Sequence, residues 1–305
     1  MTPLQELPLS KNRHSYTLQE VVGTGASAEV YRALDDEGKE VAVKKYHTPS
    51  KKNPQITFFN MKLEANLLKV GAHPNVVGYV DQGNKDCPYL VMEYVPTTLS
   101  RLFSKGEITQ TVIKDYIIQI PSLLAHLRDR EMAHCDLKCN NFGYDPETGR
   151  IKILDFGLAI PFNRSTIRPD RISDCPIYPP EFKIGIITPV SDTYSAGKTL
   201  EFLLTGQVQR RIQETIDTIG LFHDLNHLPK AIRLFLCGMI NPNHIARKNP
   251  EELATYARKA VKILEEREVF KTLKFAPVSL GGRMKAEPQM QLLLDHYSPP
   301  KITAD

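Results

Sequence analysis

His134-Cys135-Asp136-Leu137-Lys138-Cys139-Asn140-Asn141, followed across a turn-rich loop and the apolar run Ile151-Lys152-Ile153-Leu154 by Asp155-Phe156-Gly157, decides the reading of this chain. Asp136, Asn141 and Asp155 are oxygen-bearing side chains in a loop–strand–loop context. Such donors suit Mg2+, which keeps several waters and binds through a few carboxylates together with substrate phosphates. Taken singly, each Asp or Asn is by default a turn residue. Cys135 and Cys139 invite a metal reading, yet no further Cys or His pair lies at metal-site spacing. Small side chains in a packed loop account for them better.

Working back toward the N-terminus, Val22-Gly23-Thr24-Gly25-Ala26-Ser27-Ala28-Glu29-Val30 ends one strand-like run and begins another. Glycines there allow a tight turn and bring backbone N–H groups close to phosphates. An ordinary hairpin is the plain alternative. The motif opens into a strand and not a helix, which argues against a dinucleotide-binding turn. Lys44 ends Val41-Ala42-Val43-Lys44, in which the two valines share one face and Ala42 and Lys44 the other. It is either an exposed strand lysine or a point charge for the α- and β-phosphates beneath the glycine loop. Glu64 shares a helix face with Leu68. A helix glutamate is usually solvated; here it is also a candidate ion-pair partner that orients Lys44.

Residues 1–15 read as a loose arm. Residues 16–95 form a sheet-rich unit with one helix: YTLQEVV, AEVYRAL and KEVAVKKY are β-prone, with Asp35 to Gly38 as a hairpin turn. Phe59, Leu63, Leu67 and Val70 fall at helical spacing over 55–70, and His73-Pro74-Asn75 stops that helix. VVGYV and PYLVMEYV read as two more strands. After Pro96 the pattern turns helical. Ile113, Ile117, Ile120, Leu124 and Leu127 line one face of a long helix, and Pro121 within it predicts a kink or a lost hydrogen bond. A polar loop is expected over 131–150, helices from about 191 to 267, and a weakly structured tail over 266–305.

The 305 residues suffice for one large domain or two modest ones, and 41% hydrophobic with 24% charged residues is ordinary for a globular chain. A net charge of +4 gives no reason to expect nucleic acid as a partner. The N-terminus has no signal-peptide core and no run is long and apolar enough to span a membrane, so the expectation is a cytoplasmic protein with no membrane partner. The five cysteines suggest no disulfide framework.

In their order along the chain these features resemble the eukaryotic-type protein kinases, over roughly residues 16–265. The resemblance rests on the glycine-loop strand, VAVK, Glu64, HCDLKCNN, DFG, Pro179-Pro180-Glu181, Asp192-Thr193-Tyr194-Ser195-Ala196-Gly197 and Arg247. It implies an α+β, bilobal fold, with a small β-rich N-lobe (16–95) and a larger, mainly helical C-lobe (96–265). It also implies ATP with Mg2+, or Mn2+, as cofactors. Gly23 and Gly25 would cover the phosphates, and Val22, Val30 and Ala42 would belong to the nucleotide site. Lys44 would contact the α/β-phosphates with Glu64 holding it. Met92 looks like the gatekeeper, and Glu93, Tyr94 and Val95 like the hinge that binds adenine through its backbone. Asp136 would take or orient the proton of the substrate hydroxyl, Lys138 would stabilise the transferring phosphoryl group, and Asn141 and Asp155 would hold the metal ions. These roles belong to the general protein-kinase template.

The same resemblance makes Leu68, Tyr79, His134 and Phe156 a stacked apolar spine, pairs Glu181 with Arg247, and lets Asp192 hold the catalytic-loop backbone. The D-L-K-x-x-N pattern at Asp136–Asn141 is similar to Ser/Thr kinases, so the partner expected is a protein with a Ser/Thr acceptor. The alternatives are a pseudokinase serving as an ATP-binding scaffold and a small-molecule kinase on a related fold; Glu181 with its prolines, Asp192 and Arg247 argue against the second.

The sequence also departs from the pattern. Ala28 replaces the third glycine, which requires a negative φ there and lowers the expected ATP affinity. Cys135 replaces the arginine with which kinases read an activation-loop phosphate, so activity independent of such phosphorylation is expected. Ser173 to Tyr178 does not match GTxxYxA and lacks the threonine that bridges to the catalytic Asp and Lys. The stretch between Asp192 and Arg247 is compact, so one substrate- or partner-binding helix is expected to be reduced. Tyr194 stands where kinases commonly have Trp.

Overall fold

The computed structural model describes residues 5–8, 10, 12, 14–25, 27–47, 54–162, 176–206 and 228–269. The expected tail beyond 269, the compact stretch 207–227, and Ser165, Thr166 and Ser173 lie outside them.

The alternation read in VAVK dictates the N-terminal half. β1 (Gln5–Glu6), β2 (Thr17–Thr24), β3 (Ala28–Leu34) and β4 (Glu40–Tyr46) are joined by β5 (Tyr79–Gln82) and β6 (Tyr89–Glu93) into one antiparallel sheet of order β1-β2-β3-β4-β6-β5. Val41 and Val43 face outward with Leu18, Ala33, Tyr89 and Val91. Such an apolar face must be covered, and this corrects the loose-arm expectation. The arm docks: Gln5 and Glu6 pair with Leu18 and Thr17, Leu7 is buried on the valine face, and Tyr89 Oη donates to the Pro8 carbonyl at 2.7 Å.

The other sheet face, with Ala42 and Lys44, receives α1 (Pro54–Val70). The helix is where the sequence places it, but its inward face differs. Met61, Glu64, Ala65 and Leu68 are buried, whereas Phe59 and Val70 are 60% and 50% exposed. Met61, Ala65 and Leu68 also follow an i, i+4, i+7 rhythm. The face that carries Glu64 to Lys44 wins over the face richest in large apolar residues. VVGYV is only partly a strand. Val76 bridges Ile153, and Val77 N–H donates to the Ile153 carbonyl at 2.9 Å. Asn75 Nδ2 donates to the Ile151 carbonyl at 2.7 Å. This segment ties the sheet unit to the strands that carry Asp155.

Beyond the crossing, β7 (Thr97–Thr98) leads into α2 (Leu99–Ser104), capped by the Thr98 hydroxyl, and then α3 (Gln110–Asp129), capped by Thr109. All five residues of the predicted α3 stripe are buried. The helix runs through Pro121 as one element; the proline supplies no N–H to the Ile117 carbonyl, which is the predicted lost bond. The expected polar loop over 131–150 is corrected to a mostly buried, structured stretch. β8 (Met132–Ala133) pairs with β11 (Ile160–Pro161), and β9 (Phe142–Asp145) pairs with both β10 (Arg150–Ile153) and β7. His134, Cys135, Asp136, Cys139 and Asn141 are buried despite their polar look, because each has a packing or hydrogen-bonding partner. α4 (Ser191–Thr205) is a buried axis; α5 (Lys230–Ile240) packs on it, and α6 (Pro250–Glu266) packs on α3 and α5. After α6, Val269 N–H still donates to Gln110 Oε1 of α3.

Arg247 reaches Glu181 with two parallel bonds of 2.5 and 2.7 Å, and both side chains are almost wholly buried. Ser191 Oγ and the Val190 and Asn241 carbonyls occupy the remaining sites. Removal of one partner leaves a buried unpaired charge. Arg247→Ala is therefore expected to cost about 3–5 kcal/mol in denaturant unfolding; a loss below about 1 kcal/mol would contradict the pairing.

Candidate active site

The strand period that buries Val41 and Val43 on the outer face aims Lys44 and Tyr46 at α1. Lys44 Nζ lies 2.7 and 3.0 Å from the two Glu64 oxygens and 2.9 Å from Asp155 Oδ1. Burial disfavours the lysine charge, but Asp155 and Glu64 outweigh it and hold the ammonium well above its usual range. Burial pushes the Glu64 carboxyl up, against the pull of Lys44. Burial alone would raise Asp155 too; Lys44 and the Gly157 N–H, 2.8 Å from Oδ1, instead hold it well below the carboxylate range. Tyr46 Oη donates to Glu64 Oε2 at 2.5 Å, and its ring lies 5.5 Å from Lys44 Nζ. Tyr46 was not singled out in the sequence, although the period of two that aims Lys44 inward aims residue 46 the same way.

Opposite this cluster sits Asp136. Its Oδ2 accepts from Asn141 Nδ2 at 2.8 Å and pairs with Lys138 Nζ at 3.0 Å. Burial raises its carboxyl above the usual value while Lys138 and Asn141 oppose the shift. Asp192 sets the loop: Oδ2 accepts from His134 N–H at 2.6 Å and Oδ1 from Cys135 N–H at 3.0 Å. Cys135 takes a left-handed φ of 64°, which for a residue with a Cβ costs about 1–2 kcal/mol. Burial pushes the Asp192 carboxyl up to about 6 even though both N–H groups favour its charge.

His134 is buried edge-on to Phe156, ring centroids 5.0 Å apart, in the core that includes Leu68 and touches Tyr79. The four predicted spine residues thus share one apolar core. Around the expected nucleotide site, Gly23 pairs with Val30, Val30 with Lys44, and Ala42 with Met92 across the sheet. Ala28 lies within β3 opposite Tyr46 and is not among the left-handed residues, so its methyl fits without backbone strain. The Glu93 carboxylate accepts from Lys152 Nζ at 2.9 Å and Gly78 N–H at 3.1 Å, so this side chain ties β6 to β10 and to the segment before β5. Val95 lies over Gly143, where a Cβ would come within 2.8 Å of both Val95 Cγ1 and Leu154 Cδ2. Leu154 therefore fills space beside Val95 that a side chain at 143 would claim. The lone glycine in a strand was the available signal. Arg101 of α2 donates to the Val22 carbonyl at 2.9 Å, linking the two sides of the cleft; nothing in its sequence context marks it.

ATP and Mg2+ fit the donor set. Asn141 spends its amide N–H bonds on Asp136, which leaves its carbonyl oxygen for a cation, and the Asp155 side chain is 44% exposed. Among the described residues no group of three His, Cys, Asp or Glu could hold a metal alone. A cation here would share Asn141 and Asp155 with phosphate oxygens, as suits Mg2+.

Two outcomes follow from this geometry. Burial lowers His134 to about 4, so it stays neutral between about 6.5 and 4, where an unfolded histidine gains a proton. Its share of stability falls as pH falls through that window, by at most about 1.4 kcal/mol per pH unit. Asp192, raised to about 6, works in the opposite direction. Urea unfolding from pH 7 to 4.5 should lose one proton of slope in His134→Phe; parallel curves for variant and parent would refute a neutral His134. Separately, Gly143→Ala should destabilise by about 1–3 kcal/mol. Leu154→Ala in the same chain should recover part of that loss, and fully additive midpoints would show that the two side chains do not compete.

The comparisons with known proteins agree with this arrangement. The protein kinase domain family matches residues 16–271. The chain is 31% identical over 226 residues to the serine/threonine-protein kinase PrkC of Bacillus subtilis, covering 72% of this chain and 34% of that protein. It is 30% identical over 219 residues to mitogen-activated protein kinase kinase kinase 10 of Homo sapiens, covering 68% and 22%. A probable serine/threonine-protein kinase of Clostridium acetobutylicum is 33% identical over 202 residues, covering 63% and 30%. The match thus spans about a third or less of the length of each of these relatives. With the family match covering most of its length and the ion pairs of the cleft in place, the chain belongs to the protein kinase family.

Proposed function

We propose that the chain is an ATP-dependent protein kinase that transfers the γ-phosphate to Ser or Thr hydroxyls of protein substrates. The Lys44–Glu64–Asp155 cluster facing Asp136–Lys138–Asn141 carries this reading. Residues 16–95 and 96–265 are the two lobes around that cleft. Lys44, held in place by Glu64 and Tyr46, presents a fixed positive charge to the α/β-phosphates. Asn141 and Asp155 would hold Mg2+, which when bound would supply charge neutralisation for the phosphates. Lys138 faces the charge that develops on the transferred group, and Asp136 accepts or orients the acceptor proton. Phosphoryl transfer depends mainly on such preorganised charge. The names of the relatives support Ser/Thr acceptors, and so does Lys138 within D-L-K-x-x-N. The described cysteines Cys87, Cys135 and Cys139 are free thiols, which fits a reducing compartment such as the cytoplasm. No helix among the described residues is long and apolar enough to cross a membrane.

Cys135 is buried among Ala133, Phe182 and neighbouring apolar residues, so the position offers no cation to a phosphate. Activity is proposed to be independent of activation-segment phosphorylation. With Mg2+ and labelled ATP, the parent should label a generic protein substrate and Asp155→Asn should not. Equal labelling by both removes the catalytic reading, and ATP binding without labelling by either favours the pseudokinase. The triple variant Ser165→Ala, Thr166→Ala, Ser173→Ala should keep most of the parent activity; a large loss would restore a phosphate switch.

A further inference from the structure

Asp136 meets one more group. The Tyr178 hydroxyl lies 3.2 Å from Oδ1, the oxygen opposite the one that Asn141 and Lys138 hold. The segment that presents this hydroxyl is braced. The Tyr178 ring lies 6.5 Å from the Phe182 ring and packs on the buried cluster of Ala133, Cys135 and Phe182. The next two residues, Pro179 and Pro180, restrict the backbone and start the turn over Pro180–Ile184. Within that turn Glu181 is clamped by Arg247. Tyr178 is therefore anchored on both its ring and its chain.

A carboxylate with donors on one oxygen only can still swing about its torsion; donors on both oxygens fix its plane. An ionised carboxylate also offers about four lone-pair sites. Oδ1 can therefore keep Tyr178 and still receive a second hydroxyl. The geometry points to Tyr178 as a positioning residue for phosphoryl transfer: its hydroxyl orients Asp136 Oδ1, the oxygen left to take the acceptor proton. This role rests on the kinase reading and extends it. It also gives the rewritten segment before Pro179 a function, because a tyrosine supplies from that segment the hydroxyl that the missing threonine does not. The opposite role, a cap that keeps the acceptor away from Oδ1, predicts the opposite sign.

Tyr178→Phe removes the hydroxyl and keeps the ring on Phe182. With the full chain, Mg2+, ATP and casein as acceptor, kcat should fall about three- to tenfold, modest because 3.2 Å is long for an O–H···O bond. KM for ATP and the thermal midpoint should stay essentially unchanged. That split separates positioning from a structural role, which would move the midpoint, and from a nucleotide role, which would move KM. An unchanged kcat overturns the proposal, and a raised kcat identifies the hydroxyl as a cap. The activity of the parent distinguishes the two failures. An unchanged kcat in Tyr178→Phe beside an active parent overturns the positioning role alone. A parent that transfers no phosphate removes the kinase reading, and the positioning role with it.

Discussion

The buried carboxylate of Asp192 is the constraint on which the cleft depends. It stands at the start of the buried helix α4 and takes the N–H groups of two consecutive residues, His134 and Cys135. Directly after these two N–H groups the chain reverses through the left-handed φ of Cys135. Hydrogen bonds to a charged group contribute about 1.5–3 kcal/mol each, enough to offset the strain. The result sends neighbouring side chains opposite ways: the His134 ring goes into the apolar core against Phe156, and the Asp136 carboxylate goes into the cleft. One backbone inversion thus joins the apolar core to Asp136 of the cleft, and the raised proton affinity of Asp192 records the cost of burying the charge that holds it.

The remaining buried charges follow one rule. Lys44 with Glu64 and Asp155, and Arg247 with Glu181, are removed from water but given several donors or acceptors each. Buried ion pairs add little net stability against an apolar replacement, whereas loss of one partner is costly. Their effect is therefore on register. Glu64 selects which face of α1 turns inward, and Glu181 fixes the segment after Tyr178 against the end of α5.

Much of this was legible because it repeats locally. The period of two in VAVK gave both sheet faces, and the heptad-like run from Ile113 to Leu127 gave α3 and its buried stripe. The ordered motifs from Gly23 to Arg247 gave the site. What could not be read depended on partners distant in sequence. Phe59 and Val70 look like core residues, and only the meeting of Glu64 with Lys44 turns them out to solvent. The arm before Tyr16 looks unstructured until the valine face it covers is known. The stretch 131–150 looks like a polar loop because its polar residues bond to α4 and to one another, which a hydropathy pattern does not register. Gly143 and Leu154 trade volume across two strands, so neither position is informative alone.

Cys135 shows how one substitution changes the kind of restraint a segment is under. An arginine before Asp136 would place a cation beside Ala133 and Phe182, and a buried cation is tolerated only with an anion to pair it. A cysteine needs no partner. Burial, with Asp192 and Asp136 nearby, pushes its thiol well above the usual range, so it stays neutral and packs as a small apolar group. Phe182, Leu158, Ile160 and Phe162 can then close around it. Apolar contact does not respond to added charge in the way an ion pair does. A phosphate brought to this cluster would lose solvation and meet the carboxylates of Asp192 and Asp136. The stretch from Tyr178 to Phe182 thus rests on apolar packing in the described fold, which is the physical ground on which we propose a cleft assembled without a phosphate switch.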